Sequence, residues 1–258
     1  MTHQTAPFYA VIPARYSSQR LPGKMCLHLA GAPLVAWTVA AARRSEAQAV
    51  YVATDDQRIV TALEPFSAEV LMTASDHQSG SDRLAEVADQ LDWADDVIVV
   101  NVQGDEPALP PVLINQVASL LVCEPKAGVA SLYAPILSEA EFCDPNVVKV
   151  VFDAQGFARY FSRSPIPFHR DQEPKPAIWG YRHIGLYAYR VSALKAHRAL
   201  PSSALEMAER LEQLRFLTHQ VPIVMGLAHE MPAAGVDTAA DLNRLQSVLS
   251  TWPPQWRP

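Results

Sequence analysis

The chain has 258 residues, 49% of them hydrophobic and 19% charged, which is enough apolar material to bury a full core and excludes a disordered or fibrous polymer. A net charge of −6 with both signs interspersed leaves no basic stripe for a nucleic-acid backbone, so any phosphate binding must be local. Three cysteines, Cys26, Cys123 and Cys143, form no Cys-x-x-Cys pair and no even-numbered disulfide framework, and a reducing cytoplasm is expected.

The longest nearly unbroken apolar stretch, Ala30 to Ala42, falls short of the roughly 18 residues that span a bilayer, and Pro13 and Arg15 follow the first apolar run too soon for a signal peptide. A soluble, unprocessed chain is expected, with no membrane and no nucleic-acid partner.

Phe8 to Ile12 reads as a buried strand that runs into a loop rich in Arg, Ser, Pro and Gly. Pro33 to Arg44 has a helical pattern, Val50 to Ala53 reads as a strand and Asp56 to Glu64 as a helix. Ser79 to Leu91 places Leu84, Val87, Ala88 and Leu91 on one helical face, and the β-branched run Val97 to Val102 is expected as a central parallel strand. A helix over Pro110 to Leu121 and a strand over Val129 to Tyr133 complete an open doubly wound pattern, in which ligands sit at the carboxyl ends of strands.

Beyond Val147 the pattern changes. Val147 to Phe152 and Phe157 to Phe161 flank an Asp153 to Gly156 turn and predict a hairpin, Tyr181 to Arg190 predicts a further strand, and Ser203 to Leu217 and Thr238 to Leu249 predict the last helices. The expectation is a single domain over 1–258 with a smaller subregion around 153–217. The Pro-rich end from Trp252 to Pro258 reads as a loosely held tail whose two tryptophans could dock on the body or on a partner chain.

Five groups of residues carry candidate chemistry. Pro13 to Lys24 puts Arg15, Arg20 and Lys24 in one loop past the first strand, which suits a polyphosphate, although charge spacing alone fits a solvated loop equally well. The loop is neither a Walker nor a dinucleotide motif. Asn101-Val102-Gln103-Gly104-Asp105-Glu106-Pro107 follows the β-branched strand, so Asp105 could hold a divalent cation shared with a phosphate, or the Gly-Asp pair could be only a turn. In Gly235-Val236-Asp237-Thr238, Asp237 could cap the last helix, and only pairing with Asp105 would make it a metal ligand. Arg83, in the segment from Asp76 whose Ser79 or Ser81 could cap a helix, has no such simple role. Arg163, His183, Glu212 and Gln213 are each compatible with ordinary structural contacts, and for His183 a structural role outweighs metal ligation because no second His or Cys is suitably spaced.

Taken together, the segments Ile12 to Lys24, Asp76 to Gly80, Asn101 to Pro107, Arg182 to Gly185, Leu211 to Arg215 and Gly235 to Thr238 resemble, in order and over nearly the whole chain, the CMP-Kdo synthetases or 3-deoxy-manno-octulosonate cytidylyltransferases. The resemblance implies a nucleotide-diphospho-sugar transferase fold, an α/β Rossmann-like mixed sheet flanked by helices with a smaller dimerisation lobe, working as a homodimer. It implies a Mg²⁺-dependent reaction of CTP with Kdo, an acidic eight-carbon sugar of lipopolysaccharide biosynthesis, giving CMP-Kdo and pyrophosphate. It places Arg15, Arg20 and Lys24 on the triphosphate, Asp105 and Asp237 on Mg²⁺, Gln103 and Arg83 on cytosine, and Arg163, His183, Glu212 and Gln213 on the sugar acid. Met25-Cys26 stand where many relatives carry Pro and an aliphatic residue, Asp82 where Glu is usual, and Phe168 where Trp is common, beside a short His169 to Trp179 loop. An 8-amino Kdo analogue or a nonulosonic acid is the alternative substrate. A glycosyltransferase lacks its Asp-x-Asp motif here, and a non-catalytic CTP sensor is the alternative of another class.

Overall fold

The computed structural model describes residues 7–17, 21–77, 79–171, 175–233 and 235–258. The elements, in chain order, are β1 (Phe8–Ala14), β2 (His28–Leu29), β3 (Ala32–Pro33), α1 (Leu34–Arg43), β4 (Val50–Thr54), α2 (Gln57–Leu63), β5 (Glu69–Met72), α3 (Gly80–Gln90), β6 (Ile98–Asn101), α4 (Pro111–Cys123) and β7 (Val129–Ile136). There follow α5 (Glu139–Cys143), β8 (Lys149–Phe152), β9 (Ala158–Ser162), β10 (Gly180–Arg190), α6 (Val191–Ala199), α7 (Ala204–Glu209), α8 (Gln213–Thr218), β11 (Ile223–Leu227) and α9 (Ala239–Ser250).

Nine of the described strands form one sheet in the order β11-β7-β10-β6-β1-β4-β5, with the β8–β9 hairpin attached to β10. The β6-β1-β4-β5 half is parallel, as the alternating strand and helix pattern requires. The expected central parallel strand is half right: β6 pairs parallel with β1 but antiparallel with β10, which inserts between β6 and β7. The sheet is therefore mixed.

Apolar side chains fill both faces of the sheet, as a strand buried on both sides demands. One core layer gathers α1 and α4 around the fully buried Trp37, and the other gathers α3, α6 and α8 around Phe161 and Phe216.

The predicted single helix over Ser203 to Leu217 is two short helices. Arg210 adopts a left-handed conformation, φ 54° and ψ 47°, which ends α7, and Arg215 on α8 reaches back to the Glu206 carboxylate of α7 at 2.5 and 2.8 Å. The tail is docked on the body rather than loose. Trp252 meets Trp37 edge to face at 5.9 Å, and the Arg44 guanidinium lies 5.1 Å from the ring centres of both Trp252 and Trp256.

Candidate active site

The carboxyl ends of β1 and β6 lie side by side and open into a cavity of about 360 Å³. Arg15, Gln103, Tyr187, Tyr189, Glu212 and Gln213 line it together with the start of α3.

The loop after β1 turns back at Gly23, whose φ of +68° suits a residue without a side chain, and the next turn begins with Lys24. Lys24 is 7% exposed. Its ammonium lies 2.7 Å from Asp105 Oδ2, 3.4 Å from Asp237 Oδ1 and 2.8 Å from the Val236 carbonyl. One buried cation thus draws together two carboxylates 132 positions apart in sequence (237 − 105). The backbone reinforces the junction, since Val236 N–H donates to Asp105 O at 2.9 Å.

Gly104 lets this happen. A Cβ there would stand 3.0 Å from Met25 Sδ and 3.1 Å from Pro13 O, while the Gly104 carbonyl accepts the Thr38 hydroxyl at 2.8 Å. Asp237 is not the cap of α9: Thr238 is, its hydroxyl accepting from Asp241 N–H while the Asp241 carboxylate accepts in return. The cap expectation for Asp237 is therefore replaced by the pairing through Lys24. Beside Asp105, burial first and the neighbouring charge second push the Glu106 carboxyl up to about 7.

Two partly exposed carboxylates, at 28% and 45%, match the one or two carboxylates that Mg²⁺ takes beside phosphate and water. Among the described residues no group of three or more His, Cys, Asp or Glu is placed to hold a metal by itself.

At the other wall, Ser79 caps α3 in a reciprocal box with Asp82. Arg15 crosses from β1 to this helix start, donating to His77 O at 2.5 Å and Ser79 O at 3.2 Å. Behind it Arg83 is fully buried and hydrogen-bonds the Thr73 hydroxyl and, at 3.1 Å, Asp55 Oδ2. Its guanidinium has no exposed surface. Burial and the adjacent Arg83 lower the pKa of Arg15, and Asp55, Asp82 and Glu212 offset part of that.

The residues assigned to the sugar are spread out. Glu212 and Gln213 line the cavity at the start of α8. Burial raises the pKa of Glu212, against the pull of the Ser81 and Ser79 hydroxyls. His183 reaches the pocket region through Tyr187, with ring centres 5.2 Å apart. Burial drops its pKa to about 3, and its Nε2 lies 2.9 Å from Ser131 Oγ, which also clamps the bulge of β10 through the Ile184 and Leu186 carbonyls. Arg163 is not in the cavity wall: it donates to Glu209 O at 2.8 Å and Pro145 O at 3.0 Å. Arg20 lies outside the described residues.

Sequence reasoning assigns no role to Tyr187 and Tyr189, which stack at 5.7 Å, nor to Asn101, and offers Ser81 only as a candidate helix cap. Their signal is period-two placement on β10 for the tyrosines and the end of an apolar strand for Asn101.

The family model described as Cytidylyltransferase matches residues 9–223, which makes this mixed α/β sheet, with its paired carboxylates beside the cavity that Arg15 lines, a nucleotidyltransferase. Over 251 residues the chain is 49% identical to the 3-deoxy-manno-octulosonate cytidylyltransferase of Nitrosococcus oceani, covering 95% of this chain and 97% of that one. It is 51% identical over 249 residues to that of Hahella chejuensis, covering 94% and 98%. The chain belongs to the 3-deoxy-manno-octulosonate cytidylyltransferase family. Among solved structures it is similar to a CMP:2-keto-3-deoxy-manno-octonic acid synthetase complexed with CTP, with a TM-score of 0.87, 39% identity and coverage of 95% and 99%. A cytidylyltransferase from Leptospira borgpetersenii, TM-score 0.64 at 15% identity and coverage of 96% and 89%, shares the fold.

Proposed function

We propose that this chain activates Kdo with CTP, releasing pyrophosphate and giving CMP-Kdo for lipopolysaccharide biosynthesis. The observation that carries the reading is the Lys24-bridged pair of Asp105, in the loop after β6, and Asp237, before α9, beside the strand ends that present Arg15 and Gln103 to the cavity. The substrates for which the relatives are named, a 3-deoxy-manno-octulosonate and CTP, support the same choice.

In this reaction the anomeric oxygen of the sugar forms a bond to the α-phosphorus and gives its proton to water, the bond from that phosphorus to the bridging oxygen breaks, and pyrophosphate departs with the electron pair. No side-chain nucleophile is required, so the work is positioning and charge neutralisation. Arg15 and Lys24 bring positive charge to the triphosphate end, and Arg20 of the same loop is assigned there with them. Gln103 and Arg83 are assigned to the cytosine; Gln103 lines the cavity, and Arg83 is held by Asp55 and Thr73. Glu212 and Gln213 are assigned to the sugar hydroxyls, and Arg163 and His183 to the sugar acid. Asp105 and Asp237 would hold Mg²⁺, which would supply charge at the α-phosphate and lower the pKa of the attacking hydroxyl.

We further propose a homodimer in the cytoplasm, built on the subregion around 153–217. The exposed Phe168 and Ile178 within it support a covered apolar face, and the three free thiols fit a reducing compartment. No helix among the described residues is long and apolar enough to cross a membrane.

The test is competition. With CTP present, Kdo, its 8-amino analogue and sialic acid are offered together and the CMP-sugars separated. CMP-Kdo should dominate, and a dominant CMP ester of either other sugar would overturn the substrate assignment.

A further inference from the structure

His197, near the end of α6, is fully buried with its ring stacked on Phe216 at 4.3 Å, and neither ring nitrogen has a hydrogen-bond partner. Nδ1 lies 3.9 Å from Asp82 Oδ1 and Nε2 lies 3.8 Å from Glu212 Oε1, both beyond hydrogen-bond reach. Glu212 Oε1 is itself a buried acceptor without a partner. Two orphaned polar atoms therefore face each other directly behind the cavity wall, a costly arrangement unless they meet in a working state of the molecule.

Asp82 is the less needy of the two carboxylates, because it already accepts the Ser79 N–H in the capping box at 3.2 Å. The remaining charged groups around the ring are Glu206, Arg215 and His219, and Arg215 is already paired with Glu206 at 2.5 Å. A neutral imidazole has one N–H to give, and Oε1 of Glu212 is the neighbouring acceptor without a partner.

We propose that His197 is a positioning residue for Glu212: as its Nε2–H tautomer it donates to Glu212 Oε1 when substrate is bound, which keeps that carboxylate ionised and leaves Oε2 to accept hydroxyls of the sugar. The inference rests on the assignment of this cavity to the substrates. It also gives a use to the short Asp82: the capping carboxylate serves α3 and stands clear of Nδ1 by 3.9 Å, so the ring remains free to serve Glu212.

The experiment pairs spectroscopy with kinetics. In ¹⁵N-histidine-labelled wild-type protein saturated with CTP and Kdo, the His197 resonances should report the Nε2–H tautomer, and an Nδ1–H tautomer would overturn the proposal. His197→Met should raise the KM for Kdo about tenfold with little change in plateau kcat, and move the acidic limb of the kcat profile to higher pH, because in the bound complex Glu212 loses the donor that favours its charged form. His197→Gln, which retains an N–H, should keep both close to wild type. Loss of kcat with KM and the acidic limb unmoved would mark a merely structural role and overturn the proposal. Should His197→Met fail to fold, the wild-type tautomer decides. A wild-type protein that released no pyrophosphate would refute the cavity assignment instead, a failure visible before any variant is made.

Discussion

Lys24 Nζ sits 2.7 Å from Asp105 Oδ2, and with Lys24 only 7% exposed this is a nearly desolvated ammonium tied to a carboxylate at the end of the central strand. The same nitrogen reaches Asp237 at 3.4 Å, so it neutralises two negative charges that would otherwise repel. Lys24→Met should lower stability by about 2 kcal/mol, less than for a fully enclosed pair because both carboxylates reach solvent. It should reduce turnover by at least about a hundredfold. Added Mg²⁺ should recover more thermal stability in the variant than in wild type, and equal shifts in both would contradict the pairing.

The division of labour at the start of α9 separates charge from capping. Thr238→Ala removes the cap and should cost about 1 kcal/mol of stability with turnover largely kept, whereas Asp237→Asn should leave the melting temperature near wild type and cut turnover. Denaturant melts and initial rates on the two variants check this. A reversed pattern would return Asp237 to a structural role.

Acid should destabilise the protein through its buried histidines. Burial lowers the pKa of His197 to about 4 and of His183 to about 3. The unfolded chain takes up these protons as the pH falls below about 6.5, while the folded chain does not, so unfolding is favoured progressively through that window. The stability is present above about pH 6.5 and is lost as the pH drops through the folded values, on the order of 3 kcal/mol for His197. Urea melts of wild type and His197→Gln at about pH 7.5 and about pH 5 should show a smaller loss in the variant.

The docked tail ties α9 to α1. Deleting 252–258 removes the Trp252 contact with Trp37 and both cation–π contacts of Arg44. About 1 to 2 kcal/mol of stability should go with them, read as a fall of about 4 °C in melting temperature. An unchanged melt would mean that the tail packs without stabilising.

Much of the fold is legible in the residues themselves. The strand and helix alternation from Phe8 to Leu121 comes through because each element carries its own period and its own breakers, such as Asp56 and Ser79 at helix starts. The insertion of β10 between β6 and β7 is not legible, since antiparallel pairing of Tyr187 with Asn101, 86 positions apart (187 − 101), leaves no local mark. Ser203 to Leu217 reads as one helix because no Gly or Pro announces the left-handed Arg210. In the site, residue types and order point to Asp105 and Asp237 as candidates, but the ammonium between them and the buried His197 behind Glu212 depend on neighbours distant in sequence.

The most direct measurement is pyrophosphate release from CTP and Kdo by wild type and by Asp105→Asn, each with Mg²⁺ and with EDTA. The expected result is release by wild type with Mg²⁺, none with EDTA, and a loss of about a hundredfold or more in the variant. Full Mg²⁺-dependent release by Asp105→Asn, or undiminished release by wild type in EDTA, would contradict the assignment of Asp105 and Asp237 to the metal.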